Sequence, residues 1–363
     1  MRLFLCGDVM SGRGIDQILP SPADPALHEA HMGSALGYVA LAERASGPIP
    51  RPAPVDYVWG DALAELDRRA PDLRIVNLET SVTADGTPER KGINYRMHPG
   101  NLGCITAARI DCCVLANNHV LDWGAAGLGD SLASLRQAGI AAAGAGKTEA
   151  DAARPAVLET SGARLLVFAY ACPSSGVPAH WQADADRPGV NFLPDLGERS
   201  LERVAGDVRR WAKAGDAVMA SIHWGPNWGY RVPADHRSFA RRLVEEAGVH
   251  IVHGHSSHHP MAIEVRGQRP VFYGCGDFIN DYEGIRGYAS FRSELVLGYV
   301  LELGDRDHAL QSLEMVPFRM HRFRLNRPAS EDTAWLRETM DRECRAFGHR
   351  VRLTGDGTLR LTW

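Results

Sequence analysis

Residues 252–260 read VHGHSSHHP and place His253, His255, His258 and His259 within seven residues. They follow the apolar run 249–252. An apolar run that ends abruptly in Gly and His reads as a buried strand handing polar groups to a cleft at its C-terminal end. Histidine is the commonest metal ligand and the usual acid or base near neutral pH. In isolation, a solvated His-rich loop would look the same. The choice turns on whether other strands end in the same way.

Four of them do. The apolar run 2–6 is followed by Gly7-Asp8, which sets a carboxylate at a strand tip, although such an Asp also suits a turn cap. Residues 74–76 lead to Asn77-Leu78-Glu79, where alternation puts Asn77 and Glu79 on one side of the backbone. A carboxylate beside an amide suits a metal or acid–base site. Residues 110–116 deliver Asn117, Asn118 and His119, with Asp122 three residues on. Residues 217–222 end in His223-Trp224-Gly225. Five polar tips in order point to a shared cleft.

Helical periodicity appears between these runs at 56–70 (with Asp56 as cap), 131–138, 200–214, 235–247 and 333–347. Strands alternating with helices give an α/β layered architecture. The proline-rich stretch 20–55 reads as a surface excursion, helical only around 28–44. In the polar loop 84–103, Lys91 or Arg96 is placed to hold a phosphate or a carboxylate. The loops carrying Trp181, Trp224, Trp228 and Tyr230 could hold a peptide or an aromatic side chain. Residues 271–273 form a further strand ending in Gly274-Cys275-Gly276-Asp277. Cys275 there is either a core residue or a proton donor or acceptor. Residues 351–354 and 358–362 read as a hairpin. The chain thus divides into one large domain, 1–325, and a small helix–hairpin appendage, 326–363.

Composition excludes several classes. Hydrophobic residues make up 45% and charged residues 23% of the 363-residue chain, the ordinary globular range. The net charge is −4 with no basic block, which argues against a nucleic-acid partner. No apolar run reaches the roughly 18 residues of a membrane span, and the first apolar run is too short for a signal-peptide core. A cytoplasmic protein with a small-molecule or peptide substrate is expected. The seven cysteines lack CxxC spacing and read as free, mostly buried thiols.

The ordered set GDVM (7–10), NLE (77–79), ANNHVLDWG (116–124), HWG (223–225), GHSSH (254–258) and FYGCGDF (272–278) resembles the CapA family of poly-γ-glutamate capsule synthesis, within the calcineurin-like metallophosphoesterase superfamily. The resemblance covers roughly residues 1–300. It implies a four-layer αββα sandwich with two metals side by side. Asp8 and His258 would then hold the first ion, and Asn118, His223 and His255 the second. His119 would protonate the leaving group. The chain departs from the superfamily at Met10, where a His is expected, and at Asn77 and Glu79, which stand nearest the expected bridging Asp. A thioether is a poor ligand for borderline divalent ions, so one ion, two or none of Mn, Fe or Zn stay open.

Two enzymatic readings follow from the resemblance. One is a metal-assisted hydrolase of a phosphoester or a γ-glutamyl or peptide-type bond, with Asp8, Glu79, Asn118, His223, His255 and His258 as ligands. The other is a metal-independent peptide α-carbon epimerase of the lasso-peptide tailoring kind. It would draw an acid–base pair from Asp8, His119, His255, His258 and Cys275. A non-enzymatic scaffold on a decayed site is the third.

Overall fold

A computed structural model describes residues 1–285 and 287–363. The strand Arg2–Val9 is buried from its second residue onward because it has neighbours on both edges. It runs parallel to Leu73–Leu78 and antiparallel to Leu295–Leu303. A strand covered on both edges and both faces needs a near-continuous apolar run, which LFLC supplies. It lies within a ten-stranded mixed sheet. That sheet runs from the hairpin Arg350–Leu353 and Leu359–Thr362 through Leu310–His321, Leu295–Leu303, Arg2–Val9, Leu73–Leu78 and Cys112–Val114 to Ala141–Ala143.

A second sheet has six strands in the order Ala156–Glu159, Arg164–Ala171, Asp216–His223, Ile251–His255, Arg269–Phe272, Ile263–Arg266. Its four central strands are parallel. Alternation along Arg164–Ala171 shows what covers each face. Leu165, Val167, Ala169 and Ala171 share a core with strands of the ten-stranded sheet. Leu166, Phe168 and Tyr170 pack with Leu201, Val204, Phe239 and Leu243 of the helices Glu198–Trp211 and Ala234–Glu246. Each such buried Leu or Phe contributes roughly 1.5–3 kcal/mol. The α/β class expected from the sequence is what is found.

Two local expectations are corrected. Residues 28–44 are not one helix: Ala26–Glu29 and Met32–Ser34 pair as a hairpin, and the helix is Leu36–Ser46. Asp56 caps nothing with its side chain; it precedes a short turn, Tyr57–Trp59, and the helix proper is Asp61–Arg69. Gly60 separates the two with φ 46°, a left-handed conformation that restarts the chain in a new direction.

The C-terminal residues are stitched to the ten-stranded sheet. Leu359 and Arg360 pair with Met315 and Glu314, and Leu336, Met340, Cys344, Val351 and Leu361 enter its core. All seven cysteines are free and buried.

Candidate metal and acid–base centre

Register brings the polar tips together. In the ten-stranded sheet, Asp8 lies opposite Asn77 on one side and Asp277 on the other. In the six-stranded sheet, His223 lies opposite His255. Both sheets present these strand ends to one another.

Asp8 is the hub. Its Oδ1 accepts from Asn77 Nδ2 at 2.8 Å and lies 3.9 Å from His255 Nδ1. Its Oδ2 is buried and has no hydrogen-bond partner among the described residues. Two groups of ligand atoms share this carboxylate: Asp8, His223 and His255, and Asp8, His258 and Asp277. Within each, the atoms lie within 4.8 Å of one another. The facing Nδ1 atoms of His223 and His255 are 2.7 Å apart, so one must donate to the other while both rings are neutral. His223 Nε2 lies 3.1 Å from Asn118 Oδ1 and 3.9 Å from Glu79 Oε1. His258 Nδ1 lies 2.8 Å from Asp277 Oδ1. Its Nε2 meets Asn227 at 3.0 Å and the Tyr282 hydroxyl at 3.3 Å.

A second unit stands alongside. His119 Nδ1 lies 2.6 Å from Asp122 Oδ2, which fixes the proton on Nδ1 and turns Nε2 toward Glu79 Oε1, 3.7 Å away. Lys91 Nζ sits 2.7 Å from Asp122 Oδ1 and donates to the Asn118 carbonyl.

The family model described as bacterial capsule synthesis protein PGA_cap matches residues 2–282, a span that holds every one of these tips. The chain belongs to this family. A protein of Mycobacterium tuberculosis named probable polyglutamine synthesis accessory protein is 48% identical over 363 residues, 99% of this chain and 95% of the relative. The capsule biosynthesis protein CapA of Bacillus anthracis is 25% identical over 207 residues, 57% of this chain and 47% of the relative. The PGA biosynthesis protein CapA of Bacillus subtilis is 24% identical over 256 residues, 70% and 63%. The CapA resemblance read from the motifs is thereby borne out. Among the described residues, no helix is long and apolar enough to cross a membrane.

In this PGA_cap chain, Asp8, Glu79, His119, His223, His255 and His258 are gathered into one buried cluster, with the half-buried Asn118 at its edge. Lys91 reaches it but is engaged with Asp122, so it holds His119's partner rather than standing free for an anion. Arg96 is turned elsewhere: its guanidinium lies 3.7 Å over the Trp123 ring and donates to the Asp24 carbonyl. Trp224 follows His223 by one residue and so faces the helix layer, where it stacks on His236. Tyr230 packs on His259, one residue from His258, within an aromatic group with Phe291. Cys275 lies in the hydrophobic core, its thiol pushed well up by burial and then by Asp8. Asp277 was not among the ligands expected from the sequence. Its signal was the GCGDF tip of a sixth run.

Burial dominates the electrostatics. It pushes the Asp8 carboxyl up to about 7, with Asp277 adding to the effect, and it raises Glu79 and Asp277. It lowers His119, His253 and His259 to about 4, and His223 and His255 well below the ordinary value. Burial would lower His258 too, but Asp277 overrides it and the net shift is upward.

A pH dependence follows for chelated protein. Below about pH 6.5 an unfolded histidine binds a proton that His119, His223, His253, His255 and His259 refuse when folded, so each removes stability as pH falls. Asp8, Glu79 and Asp277 act oppositely, holding protons when folded. With all three fully protonated, five histidines against three carboxyls leave a net of about one and a half protons near pH 5.5 and none near pH 6.5. These site groups should therefore lower stability by about 2 kcal/mol in total as pH falls from 6.5 to 5. Urea midpoints across that range measure it, and a flat or rising profile would mean the histidines take up protons in place.

Proposed function

We propose that this chain is a metal-assisted hydrolase of a phosphoester or γ-glutamyl amide bond, working as an accessory to the synthesis of a glutamate-type polymer. One observation carries this: a single buried carboxylate, Asp8, is common to two groups of ligand-type side chains. The donor set fits divalent ions. Asp8 Oδ2 lacks a partner, the His223 and His255 half is nitrogen-rich, and the Asp277 and His258 half is oxygen-rich, which suits Zn, Mn or Fe. Asp8, His223 and His255, with Asn118 and Glu79 beside them, would hold one ion, and Asp8, Asp277 and His258 a second. Such ions would lower the pKa of a bound water and clamp developing negative charge.

The protein's own groups do the rest. His119 keeps Nε2 bare, because Asp122 holds the proton on Nδ1; Nε2 can take a proton from the attacking water and return it to the leaving group. Lys91 holds Asp122 in place. The burial of Asp8, Glu79, His223 and His255 keeps bulk water from the floor of the site. The face shared by the two sheets and the helices behind the six-stranded sheet support reading the fold as an αββα sandwich of the metallophosphoesterase type. On this reading, residues 1–325 carry every site residue and 326–363 complete a sheet edge. The relatives' names speak of polyglutamine, PGA and capsule, and nothing in them favours an epimerase.

Elemental mass spectrometry of tag-free protein purified without chelator tests the proposal. One or two equivalents of Zn, Mn or Fe are expected, with the content reduced by at least one equivalent in His255→Ala. Aryl phosphate and γ-glutamyl anilide assays follow on the loaded protein. A folded wild type that takes up no ion, or a loaded one inert to both substrate classes, would sink the reading.

A further inference from the structure

Arg13 lies outside the ligand cluster yet is almost wholly buried, its side chain 1% exposed. Its backbone is left-handed, with φ 51°, a conformation a non-glycine residue holds only when its surroundings compel it. The guanidinium is clasped on every side. Nη2 and Nε donate to Asp281 at 2.5 and 2.8 Å, and Nη1 donates to Glu29 at 3.1 Å. The rings of Tyr38 and Tyr95 are centred 3.7 and 4.5 Å from its Cζ.

The two carboxylate partners lead to different places. Glu29 belongs to the hairpin Ala26–Glu29 and Met32–Ser34, and its other partners, the Tyr38 hydroxyl and His31, are not site residues. Asp281 leads into it. Asp281 also accepts from the Gly14 amide at 2.9 Å. Its neighbour Asn280 donates to Asp277 Oδ2 at 3.0 Å, and Asn280 Oδ1 accepts from the Tyr282 amide at 3.1 Å. Asp277 Oδ1 then holds His258 Nδ1, and the Tyr282 hydroxyl faces His258 Nε2. By a second route, Tyr95 sets its ring edge-on to His119 at 4.6 Å.

We propose that Arg13 is a positioning residue: through Asp281 it fixes the segment 277–282, and with it the Asp277–His258 half of the site, without touching either group. The fork is essential, because a Lys ammonium cannot make the two parallel bonds that hold the Asp281 carboxylate plane. This deepens the hydrolase reading and depends on it for its effect on turnover. The positioning itself can be read without any reaction.

The test uses histidine-labelled full-length protein, chelated, and follows the Nδ1 proton of His258 in the His258–Asp277 hydrogen bond by NMR, assigned by its loss in His258→Gln. In Arg13→Lys and in Asp281→Asn the resonance should disappear or move strongly while the rest of the spectrum stays folded. In Glu29→Gln, which breaks the other arm of the same clasp, it should stay where it is in wild type. If loaded wild-type protein turns over substrate, Arg13→Lys should lower kcat at least tenfold with KM within about threefold. A wild-type His258 signal in folded Arg13→Lys or Asp281→Asn would overturn the proposal. So would an equal disturbance in Glu29→Gln, since the clasp would then act only on the fold. Absence of hydrolysis in wild type would overturn the reading of function, and the NMR comparison would still decide the positioning.

Discussion

Asp8→Asn should lose the metal and lower hydrolysis by about four orders of magnitude or more, the scale seen when one member of a concerted site is removed. At the same time it should make the metal-free protein more stable at neutral pH. The sign comes from the Asp8 carboxyl, whose ordinary value of 3.8 is pushed up to about 7 by burial and by Asp277. Between those values the folded state holds a proton that the unfolded state has released, so stability falls as pH rises from about 4 to 7. Above pH 7 the buried charge is present in full, at a cost of roughly 3–5 kcal/mol. The amide has no charge to bury and still accepts from Asn77. Urea unfolding of both chelated proteins at about pH 4.5, 6 and 8 should show the variant's advantage growing with pH. A variant less stable at pH 8, or one that still carries two ions, would refute the shared role of Asp8. Such an exchange of stability for function is a familiar property of active sites.

Gly7→Ala should have the largest effect on the fold of any single methyl addition here. A Cβ on Gly7 would overlap the Gly276 carbonyl oxygen and crowd the Cys275 Cβ at 3.0 Å. That carbonyl accepts from the Asp8 amide at 3.0 Å, and this bond begins the pairing of Asp8 with Asp277. The obstacle is backbone, so no side-chain rotation relieves it. The strands must part, at a cost of at least about 3 kcal/mol. Thermal melts should show a large drop, and any folded fraction should bind less metal because Asp8 and Asp277 have separated. A wild-type melting temperature would show that the two strands slide apart freely.

The legible part of this molecule was the pattern of apolar runs ending in polar residues. Arg2–Val9, Leu73–Leu78, Asp216–His223 and Ile251–His255 are central strands, buried on both faces, and such strands carry their signal in a few consecutive residues. Period two would also have turned Trp224 away from the cleft, since it follows a site histidine by one residue. Other features were not local. Asp277 sits on a three-residue strand after Gly-Cys-Gly, and its GCGDF tip is joined to the site by the pairing of residue 8 with residue 277, which no local pattern gives. Lys91 and Arg96 share a polar loop, and whether either cation is free depends on Asp122 and Trp123, which fold beside them. Arg13 looks like any surface arginine until Asp281 and Glu29, from distant parts of the chain, close around it.

The order of the strands in the ten-stranded sheet also bears on how the protein is made. Arg2–Val9 is synthesised before its partners, and it is flanked by Leu73–Leu78 on one edge but by Leu295–Leu303 and Asp277–Ile279 on the other. Asp8 therefore waits, half-paired, until the chain has grown through both of those distant strands. Contacts so remote in sequence form late and slowly. A nascent chain that ends before residue 223 has the Asp8 carboxylate but none of His223, His255, His258 or Asp277. Its unpaired apolar edge is a natural client surface for chaperones during translation.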